Sequence, residues 1–139
     1  LMQNGQDRID PKDMTSAQAH AEALRRIDAA VETGQDWLDL GDLPLAEIPQ
    51  EIGRLAGQLR QLGLSHLRYD TQSVDWNYEY KRRMVPRSLH DLRPLAQLSA
   101  LELVDLSGCE QLTSLEPVAG LTALRTLYLS GCKQFTSLD

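Results

Sequence analysis

The sequence predicts an α/β fold: a helix followed by stacked repeat units that form a solenoid. Residues 98–116, LSALELVDLSGCEQLTSLE, are restated at 121–139 as LTALRTLYLSGCKQFTSLD, with eleven of nineteen positions identical and a period of 23 residues. Such a period is typical of one supersecondary unit per repeat, which must stack on copies of itself to bury its apolar face. Leu-x-Leu alternation, a strand signal, recurs upstream, and a helix signature precedes it. The extended surface of such an array favours binding over catalysis.

Composition narrows the possible partners. The chain has 139 residues, a formal net charge of −6 and a pI near 5.0. Since affinity for nucleic acids comes chiefly from neutralising phosphates, we expect no nucleic-acid binding. No apolar stretch approaches the roughly 20 residues that span a bilayer, so we expect no membrane partner. Two cysteines fit a reducing compartment, which indicates a cytoplasmic protein, or one whose export signal precedes this sequence.

The N-terminal part divides into a tail and a helix. Residues 1–13 are polar and resemble a disordered linker or a cloning remnant. Residues 14–34 predict a helix that caps the open end of the repeat core. Its signals are a capping box, one apolar stripe and a terminal glycine, formed respectively by Thr15 with Gln18, by Leu24, Ile27 and Val31, and by Gly34.

Residues 35–67 contain the first two repeat units. Three leucines at strand spacing recur 24 residues later: Leu38, Leu40 and Leu43 correspond to Leu62, Leu64 and Leu67. The sparser apolar residues after each strand belong to the return path of the chain. We therefore expect the repeats to occupy 35–139.

The segment at about 68–88 disturbs the period. Leu62 and Val104 are equivalent strand positions 42 residues apart, so the segment adds 19 residues to one repeat. Residues 74–81 alternate between apolar and polar, which predicts a strand. One interpretation is an extra repeat whose strand joins the sheet, with its aromatic residues in the core; the other is an insertion that protrudes. The first is favoured because residues 88–98 already resemble the return path at 113–121.

The later repeats follow the pattern Leu-x-x-Leu-x-x-Leu-x-Leu-x-x-Cys, which is met by Leu98, Leu101, Val104, Leu106 and Cys109, and again by Leu121, Leu124, Leu127, Leu129 and Cys132. In this pattern the chain resembles bacterial leucine-rich repeat proteins. The resemblance implies a right-handed coil with a parallel sheet on its concave face. It also implies that the two cysteines lie in the turn after the strand and bond the neighbouring loop backbone. Arrays of this family sit beside GTPase or NTPase switch domains or effector domains, and similar repeats occur in immune-type sensor proteins.

The sequence ends at Asp139 within a repeat. We interpret the chain as part of a longer protein. An uncapped last coil would expose its apolar core, so self-association through this end is a further expectation.

No constellation for catalysis is apparent. Cys109 and Cys132 occupy equivalent positions about 5 Å apart, where a disulfide is geometrically possible, but two reduced thiols are expected. His20, His66 and His90 lack partners at metal-ligand spacing. Phosphate-loop, dinucleotide and nucleophile-elbow motifs are missing from the sequence. We therefore expect no enzyme activity, cofactor or metal.

Two surfaces remain as candidates for binding a protein, either another chain or a neighbouring domain. The concave face would use the residues between the inward leucines: Trp37, Asp39, Arg60, Gln61, Gly63, Glu102, Leu103, Asp105, Arg125, Thr126 and Tyr128. Aromatic anchors of this kind are enriched at interfaces. Trp37 could instead pack under the helix. The second surface is the irregular segment, with Tyr69, Trp76, Tyr78 and Tyr80.

The predicted function is a protein–protein interaction module that senses a ligand or regulates its own polypeptide. The alternatives are the repeat array of a GTPase, NTPase switch or immune-type sensor, and an exported effector that binds host proteins. A phosphate-binding loop downstream would support the first alternative, and a secretion signal upstream the second.

Overall fold

The computed structural model describes residues 13–65, 88–129, 131 and 132. Within them, one α-helix, α1 (Ser16–Thr33), precedes four strands: β1 (Trp37–Asp39), β2 (Gln61–Gly63), β3 (Leu103–Asp105) and β4 (Thr126–Tyr128). Short 3₁₀ helices at Gln50–Leu55, Arg93–Gln97 and Glu116–Val118 lie on the return paths. The chain thus alternates a strand with a 3₁₀ turn, which gives a mixed α/β fold with one parallel sheet.

Helix α1 begins and ends where the sequence predicts. The Thr15 hydroxyl accepts from the Gln18 amide at 3.1 Å, and the Gln18 side chain accepts from the Thr15 amide at 2.9 Å. This reciprocal pair satisfies two amides that the first turn leaves unbonded. Gly34 ends the helix with φ of 72°, a left-handed conformation that glycine adopts without steric cost. The predicted capping box and C-terminal glycine are confirmed.

The apolar face of α1 differs from the predicted stripe. Its fully buried residues are Ala19, Ala23, Ile27 and Ala30, and the helix packs against the first 3₁₀ helix and β1. Ile27 is central, as expected, and Val31 packs partly on the core. Leu24 is only partly buried and lies outside the described core, so its predicted place was wrong. Small alanines let the helix approach the core closely, a role that a search for large apolar residues overlooks.

The four described strands form a parallel sheet in the order β1-β2-β3-β4. Leu38 pairs with Leu62, Leu62 with Val104, and Val104 with Leu127. These pairings confirm the predicted equivalence of Leu62 and Val104. Since side chains alternate along a strand, the aligned central residues all point into the core.

The direct pairing of β2 with β3 corrects one interpretation. Leu62 and Gly63 are hydrogen-bonded neighbours of Val104 and Asp105, so no further strand lies between them. The favoured idea, that an extra repeat at 74–81 joins the sheet at this point, is therefore wrong. Residues 66–87, including Tyr69, Trp76, Tyr78 and Tyr80, lie outside the described residues.

The core consists mainly of leucines in the repeating slots. Fully or nearly fully buried examples are Leu38, Leu40, Leu43, Leu55, Leu59, Leu62, Leu64, Leu92, Leu95, Leu98, Leu101, Leu106 and Leu112. Each contributes about 1.5–3 kcal/mol by leaving water. No helix among the described residues is both long enough and apolar enough to cross a bilayer.

The two cysteines follow β3 and β4 in equivalent turns. The Cys109 thiol donates to the Leu64 carbonyl at 3.5 Å, and the Cys132 thiol donates to the Leu106 carbonyl at 3.1 Å. Each thiol thus bonds the loop of the preceding strand, as the resemblance implied. Burial, opposed by hydrogen bonds from the Cys109 and Gly108 amides, raises the pKa of Cys132. The thiol form of Cys132 is therefore favoured, and no disulfide joins the two cysteines.

Candidate functional site

The residues between the buried leucines form an outward surface of the sheet, which we call the strand face. The parallel register arranges them in three rows across the strands. The first row, just before the strands, is Asp36, Arg60, Glu102 and Arg125; the middle row is Trp37, Gln61, Leu103 and Thr126; the last row is Asp39, Gly63, Asp105 and Tyr128. The register therefore brings together residues that are up to about 90 positions apart in sequence.

Backbone hydrogen bonds fix the first row. The Asp36 carbonyl accepts from the amides of Arg60 and Gln61, at 2.8 and 3.1 Å. The Arg60 carbonyl accepts in the same way from Glu102 and Leu103, at 2.8 and 2.9 Å. The Glu102 carbonyl then accepts from Arg125 and Thr126, at 2.8 and 3.0 Å. One geometry repeated three times holds four charged residues in line.

Two aromatic side chains stand out on this surface. Trp37 is 54% exposed and Tyr128 is 41% exposed, and they are the exposed large hydrophobic residues of the described chain. They lie on the two outer strands, about 14 Å apart at the usual strand spacing. Leu103 lies between them and is half-buried. The exposure of Trp37 contradicts the alternative that it packs under the helix.

Asp105 departs from its predicted role. It is only 4% exposed, and its Oδ1 accepts from the Ser107 amide at 3.0 Å. The same bond occurs at Asp39, whose Oδ1 accepts from the Gly41 amide at 2.9 Å. The expectation that Asp105 is a solvated carboxylate on the binding surface is therefore wrong. Its side chain bends back to stabilise the turn after β3, and strand alternation cannot show that.

Gly63 separates these two carboxylates in the last row. A Cβ atom at this position would stand 3.3 Å from Asp39 Oδ1, tighter than most real contacts. The missing side chain leaves room for the Asp39 carboxylate beside β2. Gly63 therefore shapes the surface without offering a contact of its own.

The remaining predicted residues are accessible. Arg60, Gln61 and Arg125 are exposed, whereas Glu102 and Thr126 are half-buried. Arg60 Nη1 lies 3.9 Å from Glu102 Oε2, and these side chains are 60% and 41% exposed. An ion pair this long and this exposed contributes under about 1 kcal/mol. Both charges can therefore exchange this contact for one with a partner at little cost.

An ionic network that the sequence does not predict joins α1 to the turn after β1. Arg26 donates to the Asp42 carboxylate at 2.7 and 3.1 Å, to the Asp39 carbonyl at 2.9 Å and to Glu22 at 2.9 Å. Asp42 is 8% exposed. The four-residue spacing of Glu22 and Arg26 was a visible signal, but Asp42 is sixteen positions away.

The network keeps its members charged. Burial disfavours the charge on Arg26, but hydrogen bonds and attraction from Asp42 and Glu22 outweigh it and raise the pKa of Arg26. Burial also opposes the charge on Glu22, yet hydrogen bonds from Arg25 and Arg26 lower the pKa of that carboxyl. The network fixes the backbone at Asp39, on the edge of the strand face.

One groove of the described chain, about 820 Å³, lies between the second and third 3₁₀ helices. It is lined by Ala96, Pro117 and Gly120 beside His90, Asp91, Arg93, Ser114 and Glu116. Arg93 is tied to Asp91, whose pKa is lowered to about 2 by its hydrogen bonds. In the described ranges, no group of three or more His, Cys, Asp or Glu side chains could hold a metal ion. His66 lies outside those ranges.

A comparison of the sequence with models of protein families finds no match, and a comparison with curated proteins finds none either.

Proposed function

We propose that this chain is a leucine-rich repeat unit that binds a protein through its strand face. Successive strands align with spacings of 24, 42 and 23 residues, and equivalent leucines fill equivalent slots in the core. Turns after β3 and β4 share a glycine with positive φ, at 84° and 82°, followed by a cysteine. This regularity supports a solenoid whose sheet is its binding side.

The exposure of Trp37 and Tyr128 is the observation that carries the proposal. Covering the exposed part of Trp37 alone removes roughly 130 Å² from water and contributes about 3 kcal/mol. Leu103 extends the apolar contact between them, and the charged first row provides a polar border. An apolar centre with a polar rim is the usual anatomy of a protein interface.

A protein is a better fit than a small molecule. Small ligands bind in concave pockets that enclose most of their surface. The two aromatic residues lie on the first and last of the four described strands, about 14 Å apart, so one ligand must span that width to contact both. The partner is either another chain or another domain of the same polypeptide.

Photo-crosslinking tests the proposal. Tyr128 is replaced by p-benzoylphenylalanine, the protein is irradiated in cells, and adducts are identified by mass spectrometry. We expect one protein to crosslink and the crosslinked peptide to map consistently to a single patch. The matched control places the same photo-reactive residue at Gln111, an exposed position in the turn after β3. Equal crosslinking from positions 128 and 111, or none from 128, would contradict the strand-face assignment.

A further inference from the structure

The first row of the strand face alternates in charge. The residues just before β1, β2, β3 and β4 are Asp36, Arg60, Glu102 and Arg125, which gives the order negative, positive, negative, positive. Asp36, Arg60 and Arg125 are exposed, and the Glu102 side chain is 41% exposed. Neighbouring strands are about 4.8 Å apart, so the row is roughly 14 Å long.

A row of four alternating charges is complementary to itself when reversed. Consider a two-fold axis that runs parallel to the strands, between β2 and β3, in front of the face. The rotation keeps the strand direction and reverses the order of the strands, so each residue meets the same row of the copy. Asp36 then lies opposite Arg125 of the second copy, and Arg60 lies opposite Glu102. All four charges of each copy meet the opposite sign.

We propose that the strand face binds the same face of a second copy of this chain. The inference rests on the proposed function and names its partner. A two-fold interface uses one patch on both subunits, and that patch must complement itself. The alternating row meets this requirement without any rearrangement of the backbone.

The other rows agree with the same axis. Trp37 lies opposite Thr126 of the second copy, so its ring covers a half-buried strand residue and gains the apolar contact. Gln61 lies opposite Leu103. Asp39 lies opposite Tyr128 of the second copy. No pair of like charges meets across this arrangement.

The other face-to-face two-fold arrangement is unfavourable. An axis perpendicular to the strands keeps each strand opposite its own copy and reverses its direction. Asp36 would then face Asp39 of the second copy, and Glu102 would face the buried Asp105 of the second copy. Like charges directly opposite each other oppose association, so the charge pattern selects the axis parallel to the strands.

The small area of the described patch limits the affinity of the dimer. Four strands at about 4.8 Å and four residues at about 3.3 Å give a face of roughly 250 Å² per copy, against about 800 Å² per copy in a standard stable interface. We therefore expect a weak dimer that needs high protein concentration. Its exposed ion pairs also make it sensitive to salt, since the Debye length is about 30 Å at 0.01 M and 8 Å at 0.15 M.

Sedimentation equilibrium of charge-reversed variants tests the inference. Arg60→Glu and Glu102→Arg each turn two attractive contacts of the dimer into repulsive ones. At low salt, we expect each single variant to dimerise at least about tenfold more weakly than the wild type. The double variant restores opposite signs at every contact, so its dimer should return to near wild-type strength.

A mixture of the two single variants gives the sharpest result. Arg60→Glu facing Glu102→Arg places opposite charges at all four positions, so the mixture should dimerise more strongly than either variant does alone. Arg93→Glu, an exposed reversal in the second 3₁₀ helix, is the matched control and should leave dimerisation unchanged. Circular dichroism of each variant checks that the fold is intact.

The outcomes separate the inference from the proposed function. A wild type that remains monomeric at about 1 mM in low salt overturns the second copy as partner. So does a dimer that the single reversals leave intact, or a mixture that fails to associate. If Tyr128 crosslinks a different protein in cells while the wild type is monomeric, the strand face keeps its function and only the identity of its partner changes.

Discussion

The Arg26 side chain ties α1 to β1 and to the turn after it. Its guanidinium bonds Asp42, Glu22 and the Asp39 carbonyl, and Asp42 is almost fully buried. Arg26→Met removes these donors, so the buried Asp42 carboxylate keeps its charge without the hydrogen bonds and the positive charge of Arg26. Breaking a fully buried pair costs about 3–5 kcal/mol, and we expect about 2–3 kcal/mol here because the Arg26 side chain is 28% exposed. Urea denaturation measures the difference.

Arg25 provides the matched control. It bonds the same Glu22 carboxylate, but its side chain is 73% exposed. Arg25→Met should change the free energy of unfolding by less than about 1 kcal/mol. Equal losses for the two variants would contradict the role given to Asp42.

Individual residues were also the hardest to predict from the sequence. Alternation along β3 assigned Asp105 to the outward face, but its carboxylate turns back to the Ser107 amide and is buried. The role of Arg26 does not follow from its neighbours in sequence, because its main partner comes from another element. The exposure of Trp37 stayed open because no pattern shows whether a neighbouring helix covers a ring. Each of these outcomes depends on contacts between segments that are distant in sequence.

At the scale of elements, α1 packs through alanines. Ala23 is fully buried, and Ala21 is exposed on the same helix. Ala23→Leu would force a larger side chain into a filled interface, so we expect a loss of about 1–3 kcal/mol. Ala21→Leu adds the same atoms on the solvent side and should be close to neutral. Thermal and urea unfolding of the two variants measure the difference. Equal losses of stability would contradict the packing of α1 on the core through Ala23.

The turn after β3 depends on the left-handed conformation of Gly108. Its φ is 84°, a region in which a Cβ atom clashes with the following carbonyl. We expect Gly108→Ala to cost about 1–2 kcal/mol. Gly120→Ala is the control, since its added Cβ meets nothing within 4 Å and its φ is not in that region. It should be neutral or slightly stabilising, and a similar loss at both glycines in urea unfolding would refute this account of the turn.

Elements were the most predictable level. The capping box and Gly34 follow from short-range spacing, and the registers of β1 with β2 and of β3 with β4 follow from the repeat period. Each is present in the structure. The expected place of a strand from 74–81 between β2 and β3 was wrong, because alternation predicts a strand but says nothing about its neighbours. The pairing of Leu62 with Val104 depends on the path of the whole chain.

In the molecule as a whole, the parallel register turns distant residues into one surface. Four charged residues from four segments line up in alternating order, and two aromatic residues flank a half-buried leucine. The middle and last rows consist of residues that the sequence assigns to the concave face. The alternation of charge in the first row also requires the pairing of β2 with β3, whose equivalent residues are 42 positions apart. The strand face is thus a property of the assembled sheet.

The central claim is that this face holds a protein partner. It is tested most directly by titration calorimetry of the crosslinked partner, once purified, against the triple variant Trp37→Ala, Leu103→Ser and Tyr128→Ala. A triple change on the turn side, Gln111→Ala, Thr113→Ala and Ser114→Ala, is the control. Since aromatic anchors at the centre of an interface commonly cost 2 kcal/mol or more each on truncation, we predict at least about 100-fold weaker binding for the first variant and unchanged binding for the control. Wild-type affinity in the first variant, with its fold intact, would contradict the claim.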